Sequence, residues 1–208
     1  MNFELFLPES ADNVLPYDGV VQDYGIILEA HQAESYLDYF LTDLNWQHDE
    51  AFLYGKHFKT DRKIAWYGDE DYQYHYSGVR KQAQPWNPRL LQLKQQIEQI
   101  TNHSFNSCLA NLYENGTQAM GWHSDDEKSL VSTDCETVIA SLSLGAKRKF
   151  RFKHKRNAEL VDVMLHTGQL IVMKGQTQLH WKHMLAKSTK IIEPRVNLTF
   201  RYFYPTTT

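Results

Sequence analysis

The sequence predicts one mainly β domain of the α+β class, built as a sandwich or jelly roll with supporting helices. Almost everything after residue 105 consists of short segments rich in β-branched and aromatic residues, separated by turn-forming residues. Two amphipathic segments with helical periodicity precede this region. A chain of 208 residues suits one domain with a sizeable core. Its composition, 42% hydrophobic and 23% charged, excludes disordered, collagen-like and coiled-coil classes.

Apolar residues spaced three and four apart predict one helix near residues 33–45 and another near residues 88–101. Asn87 is a suitable N-cap for the second helix, and Pro88 fits the first helical position because its missing amide hydrogen costs nothing there. Both helices are expected to lie against one sheet. Their apolar stripes consist of Leu37, Phe40, Leu41 and Leu44, and of Leu90, Leu93, Ile97 and Ile100.

The remaining segments complete the predicted domain. Residues 1–20 resemble a loose N-terminal lead-in, and an aromatic-rich region before the second helix predicts hairpins. No repeat or low-complexity stretch suggests an internal domain boundary. The predicted strands after residue 105 are SCLANLYEN, TVIASLSLG, KFRFKHK, VDVMLH, GQLIVMKG, QLHWKHML and RVNLTFRYFY.

The targeting signals and the cysteine content of the sequence bear on where the protein acts. No stretch approaches the roughly 18–20 consecutive apolar residues of a membrane helix, and the N-terminus shows no basic start followed by an apolar run. Cys108 and Cys135 are too few for a disulfide framework and lack paired metal-ligand spacing. We therefore expect a cytoplasmic protein with no membrane partner.

Charge is unevenly distributed. The formal net charge is −3, yet residues 147–156 hold seven of the 22 Lys and Arg residues and no acidic residue. This basic segment is typical of a solvated edge strand protected by lysines. It also suits a phosphate-binding stripe, because counter-ion release favours clustered cations whatever the net charge of the molecule. Charge alone does not decide between the two interpretations.

The motif WHSDDE contains a candidate metal-ligand pair. His123 and Asp125 are two residues apart, so in a strand or its exit both side chains point to the same face. Two His and one carboxylate can hold iron(II) and leave the opposite coordination positions open. Alternation places His183 and His180 on opposite faces of a strand, but periodicity does not select the third ligand. The candidates are His154, His166, His180 and His183.

The last predicted strand alternates cleanly between polar and apolar residues. Its polar face suits either an edge strand exposed to water or a site for a dicarboxylate, since guanidinium groups bind carboxylates through two hydrogen bonds. Asn111 and Tyr113, which share one face of another strand, could donate further hydrogen bonds. The polar face of the last strand consists of Arg195, Asn197, Thr199 and Arg201.

Five ordered motifs together resemble the AlkB family of iron(II)- and 2-oxoglutarate-dependent nucleic-acid dealkylases. The segments RKIAWYGD and YSG are more similar to the animal DNA-repair members than to the bacterial enzyme. The resemblance covers roughly residues 50–205. The motifs, in chain order, are NLYENG, WHSDDE, ASLSLGAKRKF, WKH and EPRVNLTFR.

The resemblance implies a fold and two cofactors. The fold is a double-stranded β-helix in one domain over residues 21–208, with a nucleotide-recognition hairpin lid at 50–85 and a jelly-roll core at 105–205. The third iron ligand is the His of an aromatic-x-His step about a dozen positions before the first Arg of the RxNxTFR motif, which implies His183. By the same resemblance, Fe(II) is held by His123, Asp125 and His183, and 2-oxoglutarate is bound by Asn111, Tyr113, Arg195, Asn197 and Arg201.

The resemblance also implies the reaction, which consumes O2 and 2-oxoglutarate. It oxidatively demethylates bases such as 1-methyladenine and 3-methylcytosine in DNA and releases formaldehyde, succinate and CO2. Buried iron requires a flipped or single-stranded base and a stacking pocket. Matched to the family, Tyr76 and Ser77 stack the base, Tyr74 neighbours it, and Tyr54 is a wedge in the duplex. Trp66, in the same aromatic segment, either contributes to the stacking pocket or packs in the core. By their charge, Glu127 suits selection of cationic lesions, and Arg62 and Lys63 suit phosphate contacts.

Two alternatives remain open at this stage. The same dioxygenase chemistry could act on RNA, a protein or a small molecule. Alternatively, the chain could be a non-catalytic nucleic-acid-binding module. The sequence indicates no protein partner, and we expect a monomer.

Overall fold

The computed structural model describes residues 12–53, 56–76, 79–130 and 137–204, without the side chains of 51–53, 56–58, 74–76, 79–80 and 128. The strands are β1 Val20–Ile26, β2 Gln47–Leu53, β3 Lys56–Gly68, β4 Gln73–Tyr76, β5 Val79–Gln82, β6 Gln84–Pro85, β7 Ser107–Tyr113, β8 Met120–His123, β9 Ile139–Gly145, β10 Arg148–His154, β11 Leu160–Leu165, β12 Gln169–Lys174, β13 Trp181–Leu185 and β14 Arg195–Arg201. The helices are α1 Ala30–Asp43, α2 Pro88–Thr101, α3 Thr177–His180 and a short 3-10 helix Lys128–Leu130.

Two antiparallel sheets face each other and form the predicted jelly-roll architecture. The larger sheet has the order β1-β12-β9-β14-β7-β3-β2, with β6 pairing in parallel with β3. The smaller sheet has the order β11-β10-β13-β8, and β4 and β5 form a separate hairpin. Residues 50–85 thus include the predicted hairpins, although β2 and β3 also extend the larger sheet.

Alternation along β14 divides the molecule into two layers. Its even-numbered residues Val196, Leu198 and Phe200 are fully buried in the main core, together with apolar residues of α1 and α2. Its odd-numbered residues point to the opposite face, towards the smaller sheet. Because β14 pairs with both β7 and β9, it is a central strand and not the exposed edge strand that its polar residues also allowed.

The second core lies between the sheets. Val21, Ile139 and Met173 of the larger sheet pack there with Phe152 and Trp181 of the smaller sheet. Leu15, only 2% exposed, joins this core although it lies within the expected lead-in. The Asn13 side-chain oxygen fixes this part of the chain by accepting hydrogen bonds from the amides of residues 15 and 21. Residues 1–11 lie outside the described residues.

The prediction that QLHWKHML forms one continuous strand is wrong. Thr177–His180 forms α3, and the strand begins only at Trp181. The Thr177 hydroxyl donates to the Lys174 carbonyl and accepts from the Val20 amide, which stabilises the turn out of β12. Leu179 is consequently 64% exposed and does not share a face with the buried Trp181, because strand alternation does not apply within a helical turn.

None of the helices in the described ranges is long and apolar enough to cross a membrane.

The start of α2 provides a test of the local sequence signals. The Asn87 side chain accepts hydrogen bonds from the amides of Arg89 and Leu90, as an N-cap should. We predict that Asn87→Ala lowers the free energy of unfolding by about 1 kcal/mol, measured by urea denaturation, because these amides lose their acceptor. Asn87→Ser, which can still cap the helix, should lower it clearly less. Equal losses in the two variants would contradict the capping role.

Candidate active site

A cavity of about 120 Å³ lies between the two sheets. Strands β3, β7, β9 and β14 supply one wall, and β8, β10 and β13 supply the facing wall. Strands β7 and β14 each present every second residue to the cavity, so the polar alternation seen in the sequence converges on one space. The polar side chains from the proposed cofactor set that line the cavity are Asn111, Tyr113, Arg195, Asn197 and Arg201.

The structure brings His123, Asp125 and His183 together in this cavity. His123 and His183 are cross-strand partners on β8 and β13, with ring centroids 4.2 Å apart. His123 Nε2 lies 3.7 Å from Asp125 Oδ1. One potential ligand atom from each residue falls within 4.8 Å of those of the other two, so the three side chains could hold one metal ion. The other candidate histidines, His154, His166 and His180, do not line this cavity in the described part of the chain.

Neighbouring groups orient the ligand pair. The Gly121 carbonyl lies 2.8 Å from His123 Nδ1. Because a carbonyl only accepts, the ring proton sits on Nδ1, and the Nε2 lone pair is free to bind a metal. Gln178 Oε1 accepts a hydrogen bond from the Asp125 amide at 2.9 Å, and Arg201 donates to Asp125 Oδ2 at 3.2 Å. These contacts fix the position of the carboxylate before any ion binds.

Electrostatics favour the metal-binding protonation states. Burial acts to raise the pKa of Asp125, but Arg201 and the two histidines outweigh it and lower the pKa below its ordinary value. Burial lowers the pKa of His183 to about 3, so its imidazole is neutral at pH 7. His183 is 3% exposed, and its Nδ1 has no hydrogen-bond partner among the described residues. A buried, neutral imidazole with an unpartnered nitrogen is consistent with a metal-binding role for His183.

Arg195 is the second feature of the cavity that calls for a ligand. Its guanidinium is 2% exposed, yet it donates only to neutral oxygens, Ser143 Oγ at 2.9 Å and Asn197 Oδ1 at 2.8 Å. Within the described residues no carboxylate lies within ion-pairing distance, and its Nε is buried without a partner. Burial lowers the pKa of Arg195 to about 10. A buried, unpaired guanidinium is costly for the protein alone and suits an incoming carboxylate.

Hydrogen bonds between side chains organise the wall around Arg195. The Asn197 amide oxygen also accepts from Ser141 Oγ, and its nitrogen donates to Thr199 Oγ1. The Tyr113 ring centroid lies 5.7 Å from the guanidinium carbons of both Arg195 and Arg148. Sequence analysis did not single out Ser141 and Ser143. The polar residues that alternate within ASLSLG were the signal that could have identified them.

Arg62 does not occupy a position suited to contacting phosphates from the outer surface. It is 9% exposed, ion-paired with Asp49, and donates to Asn111 Oδ1 at 2.7 Å. Asp49 also pairs with Lys81. This network lines the cavity. Sequence analysis overlooked it because Asp49 is 13 residues from Arg62, and Lys81 is 32 residues from Asp49. Arg62 is therefore engaged by a buried carboxylate, which the local pattern did not reveal.

The basic segment 147–156 is only partly available to a nucleic acid. Arg148 is fully buried and donates to backbone carbonyls, including those of Gln118 and Ala186 at 2.7 and 2.8 Å. Lys149 and Arg151 both pair with Asp162 on the neighbouring strand β11. Arg148 is therefore unavailable to a phosphate, and Asp162 competes with phosphates for Lys149 and Arg151. The segment alone did not reveal these contacts, because the partner lies on the neighbouring strand.

Glu127 lies in the cavity wall, and Trp66 lies in an aromatic cluster. Glu127 lines the cavity, its Oε2 is buried with no hydrogen-bond partner in the described part of the chain, and burial raises its pKa. Trp66 is 8% exposed and packs against Phe203 with a centroid distance of 5.2 Å. It lines a smaller adjacent cavity together with Glu127 and is not among the described residues that line the main one. Packing contacts therefore hold Trp66 within the aromatic cluster. Its place in the base-stacking pocket stays a prediction.

The other predicted substrate residues are only partly described. Lys63 pairs with Glu114 at 2.6 Å on the face of β3 opposite to Arg62. Tyr54 and Ser77 lie outside the described residues, as do the side chains of Tyr74 and Tyr76. The predicted wedge and base-stacking roles fall on these positions and remain predictions.

Comparisons with known proteins agree with this geometry. Residues 24–201 match the 2OG-Fe(II) oxygenase superfamily. The chain is 39% identical over 188 residues to the bovine alpha-ketoglutarate-dependent dioxygenase alkB homolog 3, covering 86% of this chain and 64% of that protein. It is 36% identical over 208 residues to the human protein of that name, covering 95% and 68%. It is 39% identical over 163 residues to the bovine DNA oxidative demethylase ALKBH2, covering 74% and 58%.

A solved structure, that of OsALKBH1, is 16% identical and superposes with a TM-score of 0.63 over 90% of this chain and 99% of the other. This likeness confirms the predicted fold class. The chain belongs to the 2OG-Fe(II) oxygenase superfamily and, within it, to the AlkB family. The family uses iron(II) and 2-oxoglutarate, as predicted. The chain spans 64% to 68% of the length of the alkB homolog 3 relatives described above.

The burial of Arg148 generates a prediction about stability. We expect Arg148→Met to lower the free energy of unfolding by about 3 kcal/mol, because several buried carbonyls lose their donor. Arg156→Gln, an exposed change in the same basic segment, should alter it by less than about 0.5 kcal/mol. Chemical denaturation followed by circular dichroism measures both. Similar effects in the two variants would contradict the structural role of Arg148.

Proposed function

We propose that this chain oxidatively demethylates N-alkylated bases in DNA, with 1-methyladenine and 3-methylcytosine as the expected lesions. One observation carries the proposal: a His-Asp-His cluster and a buried Arg195, which has no carboxylate partner among the described residues, line the same cavity. The first fits a metal and the second fits an anionic co-substrate. The names of the relatives, a dioxygenase and a DNA oxidative demethylase, support the same chemistry.

Fe(II) would be held by His123 Nε2, Asp125 and His183. When bound, iron(II) with 2-oxoglutarate and O2 supplies the oxidation of the N-methyl group, which leaves as formaldehyde while succinate and CO2 form. The chain prepares the site in two ways. Arg201 helps keep Asp125 ionised, and burial keeps His183 neutral, so both ligands are ready to bind a cation at neutral pH.

2-Oxoglutarate would place one carboxylate against Arg195 and the other near Arg201. The hydroxyl and amide groups around Arg195 already hold its guanidinium in one orientation, so little conformational entropy is lost on binding. Asn111, Tyr113 and Asn197 would complete the pocket. A dianion would also offset the positive charge of Arg195, which no carboxylate of the described residues balances.

The substrate base would enter beside His123, whose side chain is 28% exposed while Asp125 is 7% exposed. Glu127 supplies a carboxylate close to that entrance and could recognise the positive charge of the lesion. Tyr76 and Ser77 would stack the base, Tyr74 would lie next to them, and Tyr54 would be the wedge. Lys63 remains a proposed phosphate contact, and the proposal for Arg62 changes to a role within the cavity wall.

The finer points of partner and location belong to the same proposal. DNA is favoured over RNA by the name of the DNA demethylase relatives. We also propose a monomer, located in the cytoplasm; the free, buried thiol of Cys108 is consistent with a reducing compartment.

The decisive experiment follows product by mass. The protein is reconstituted with iron(II) and 2-oxoglutarate without oxygen, then exposed to air with an oligonucleotide carrying 1-methyladenine. We expect the oligonucleotide to lose one methylene unit only when 2-oxoglutarate is present. Asp125→Ala should fold normally and show no loss, because the carboxylate ligand is missing.

Each unfavourable result has its own meaning. Succinate without a change in the oligonucleotide would leave the oxygenase chemistry standing and overturn DNA as the substrate; a methylated RNA oligonucleotide is then compared. If an iron-loaded protein changed neither, the non-catalytic binding module would replace the enzyme proposal. Full activity of Asp125→Ala would remove the proposed metal site.

The co-substrate site is tested separately. Arg195→Ala should raise the KM for 2-oxoglutarate about 10- to 100-fold, since hydrogen bonds to charged groups contribute about 1.5–3 kcal/mol. Arg195→Lys keeps the charge but not the two-pronged geometry, and should raise the KM less. Initial rates at varied 2-oxoglutarate and varied DNA separate the two constants. A larger effect on the KM for DNA would show that the co-substrate lies elsewhere.

A further inference from the structure

A second cluster of metal-ligating side chains lies outside the active-site cavity. It consists of Asp18 in the loop before β1, His154 at the end of β10 and His180 at the end of α3. One potential ligand atom from each falls within 4.8 Å of the other two. None of the three is among the described residues that line the cavity.

His154 is the most informative member of this cluster. The residue is 1% exposed, and its Nε2 is buried without a hydrogen-bond partner among the described residues. Asp18 Oδ2 lies 3.3 Å from that nitrogen, yet the contact does not satisfy hydrogen-bond geometry. Trp181 and Tyr17 pack edge-on against the imidazole and hold it in place. A buried nitrogen is thus presented to a carboxylate that does not complete its bonding.

The spacing fits a small divalent ion. Tetrahedral Zn²⁺ binds nitrogen and carboxylate oxygen at about 2.0–2.2 Å, which separates neighbouring ligand atoms by roughly 3.3 Å. The distance between His154 Nε2 and Asp18 Oδ2 is 3.3 Å. The Asp18 side chain is 39% exposed, so a water molecule can reach the fourth position and the ion can enter from solvent. Two imidazoles and one carboxylate are ligands that Zn²⁺ favours.

The three segments are already fixed relative to one another. Trp181 Nε1 donates to the Tyr17 carbonyl at 3.0 Å, next to Asp18. The Lys155 amide, next to His154, donates to the His180 carbonyl at 2.8 Å. Asp18 itself has a positive φ of 50°, which directs its side chain from a tight turn. Metal binding therefore requires little reorganisation of the backbone.

We propose that Asp18, His154 and His180 form a second metal site, which takes Zn²⁺ as a structural ion. The ion ties the loop before β1 to the junction of α3 and β13. Binding through His154 Nε2 places the ring proton on Nδ1 and gives up the long contact, 3.4 Å, with the Asn157 amide. The competing interpretation is an ordinary His–Asp ion pair with no affinity for zinc.

The test counts zinc ions in the full chain. Metal-free protein is titrated with Zn²⁺ against a chromophoric chelator, and bound zinc is also measured by mass spectrometry after desalting. The wild type should bind two ions, one in each cluster. Asp18→Asn and His180→Gln should each weaken one ion by at least about tenfold and leave the other unchanged. Asparagine tolerates the left-handed backbone at position 18, so the fold should persist.

Matched controls use exposed residues of the same types. Asp12→Asn and His166→Gln should retain both ions. A wild type that binds only one ion would overturn the proposal and leave the ion pair. A second ion that survives in both Asp18→Asn and His180→Gln would also overturn it, because that ion must bind elsewhere.

A thermal measurement isolates the second site from the first. In an Asp125→Ala background the active-site cluster has lost a ligand, so zinc should still raise the Tm through the second cluster. Adding Asp18→Asn to that background should abolish the zinc-dependent part of the Tm, whereas adding Asp12→Asn should not. Equal Tm shifts in the two double variants would contradict the assignment. This result does not depend on the proposed demethylase activity.

Discussion

The site depends on two arginines of the central strand β14, the buried Arg195 and the largely buried Arg201. Removing a guanidinium from water costs several kcal/mol unless an anion compensates it. Arg201 meets this requirement through Asp125, and thereby helps keep a metal-ligand candidate ionised. Among the described residues, Arg195 donates to the neutral oxygens of Ser143 and Asn197 and to no carboxylate. The wall of the cavity therefore carries the unbalanced positive charge of Arg195 beside a cluster that can bind a cation. A dianionic co-substrate that also binds the metal would pair with Arg195 and complete the coordination of the metal.

Sheet register positions these groups with little freedom. His123 faces His183 across β8 and β13, and Asn197 on β14 faces Asn111 on one side and Ser143 on the other. Pairing with neighbouring strands on both sides places His183 and Asn197, and pairing with β13 on one side places His123, which makes the site a property of two packed sheets and not of one loop. The helices pack against the opposite face of the larger sheet, where the even-numbered residues of β14 are fully buried.

The junction of α3 and β13 connects both metal clusters. Gln178 holds the Asp125 amide, His180 belongs to the second cluster, and His183 belongs to the first. An ion bound at the second cluster would restrain the segment from which these residues extend. The N-terminal segment gains a function in this arrangement, since Asp18 and the buried Leu15 belong to a region that the sequence suggested was loosely attached.

The sequence by itself determined α1 and α2, most strands after residue 105, the polar face of β14 and the His123–Asp125 pair, because periodicity and capping are encoded by near neighbours. It did not select His183 over three other histidines without the family resemblance. Only the tertiary structure decided that Arg62 pairs with Asp49, that Arg148 is buried, and that Lys149 and Arg151 share Asp162. The physical reason is that a cation's availability depends on partners from other strands, and local sequence does not encode those contacts.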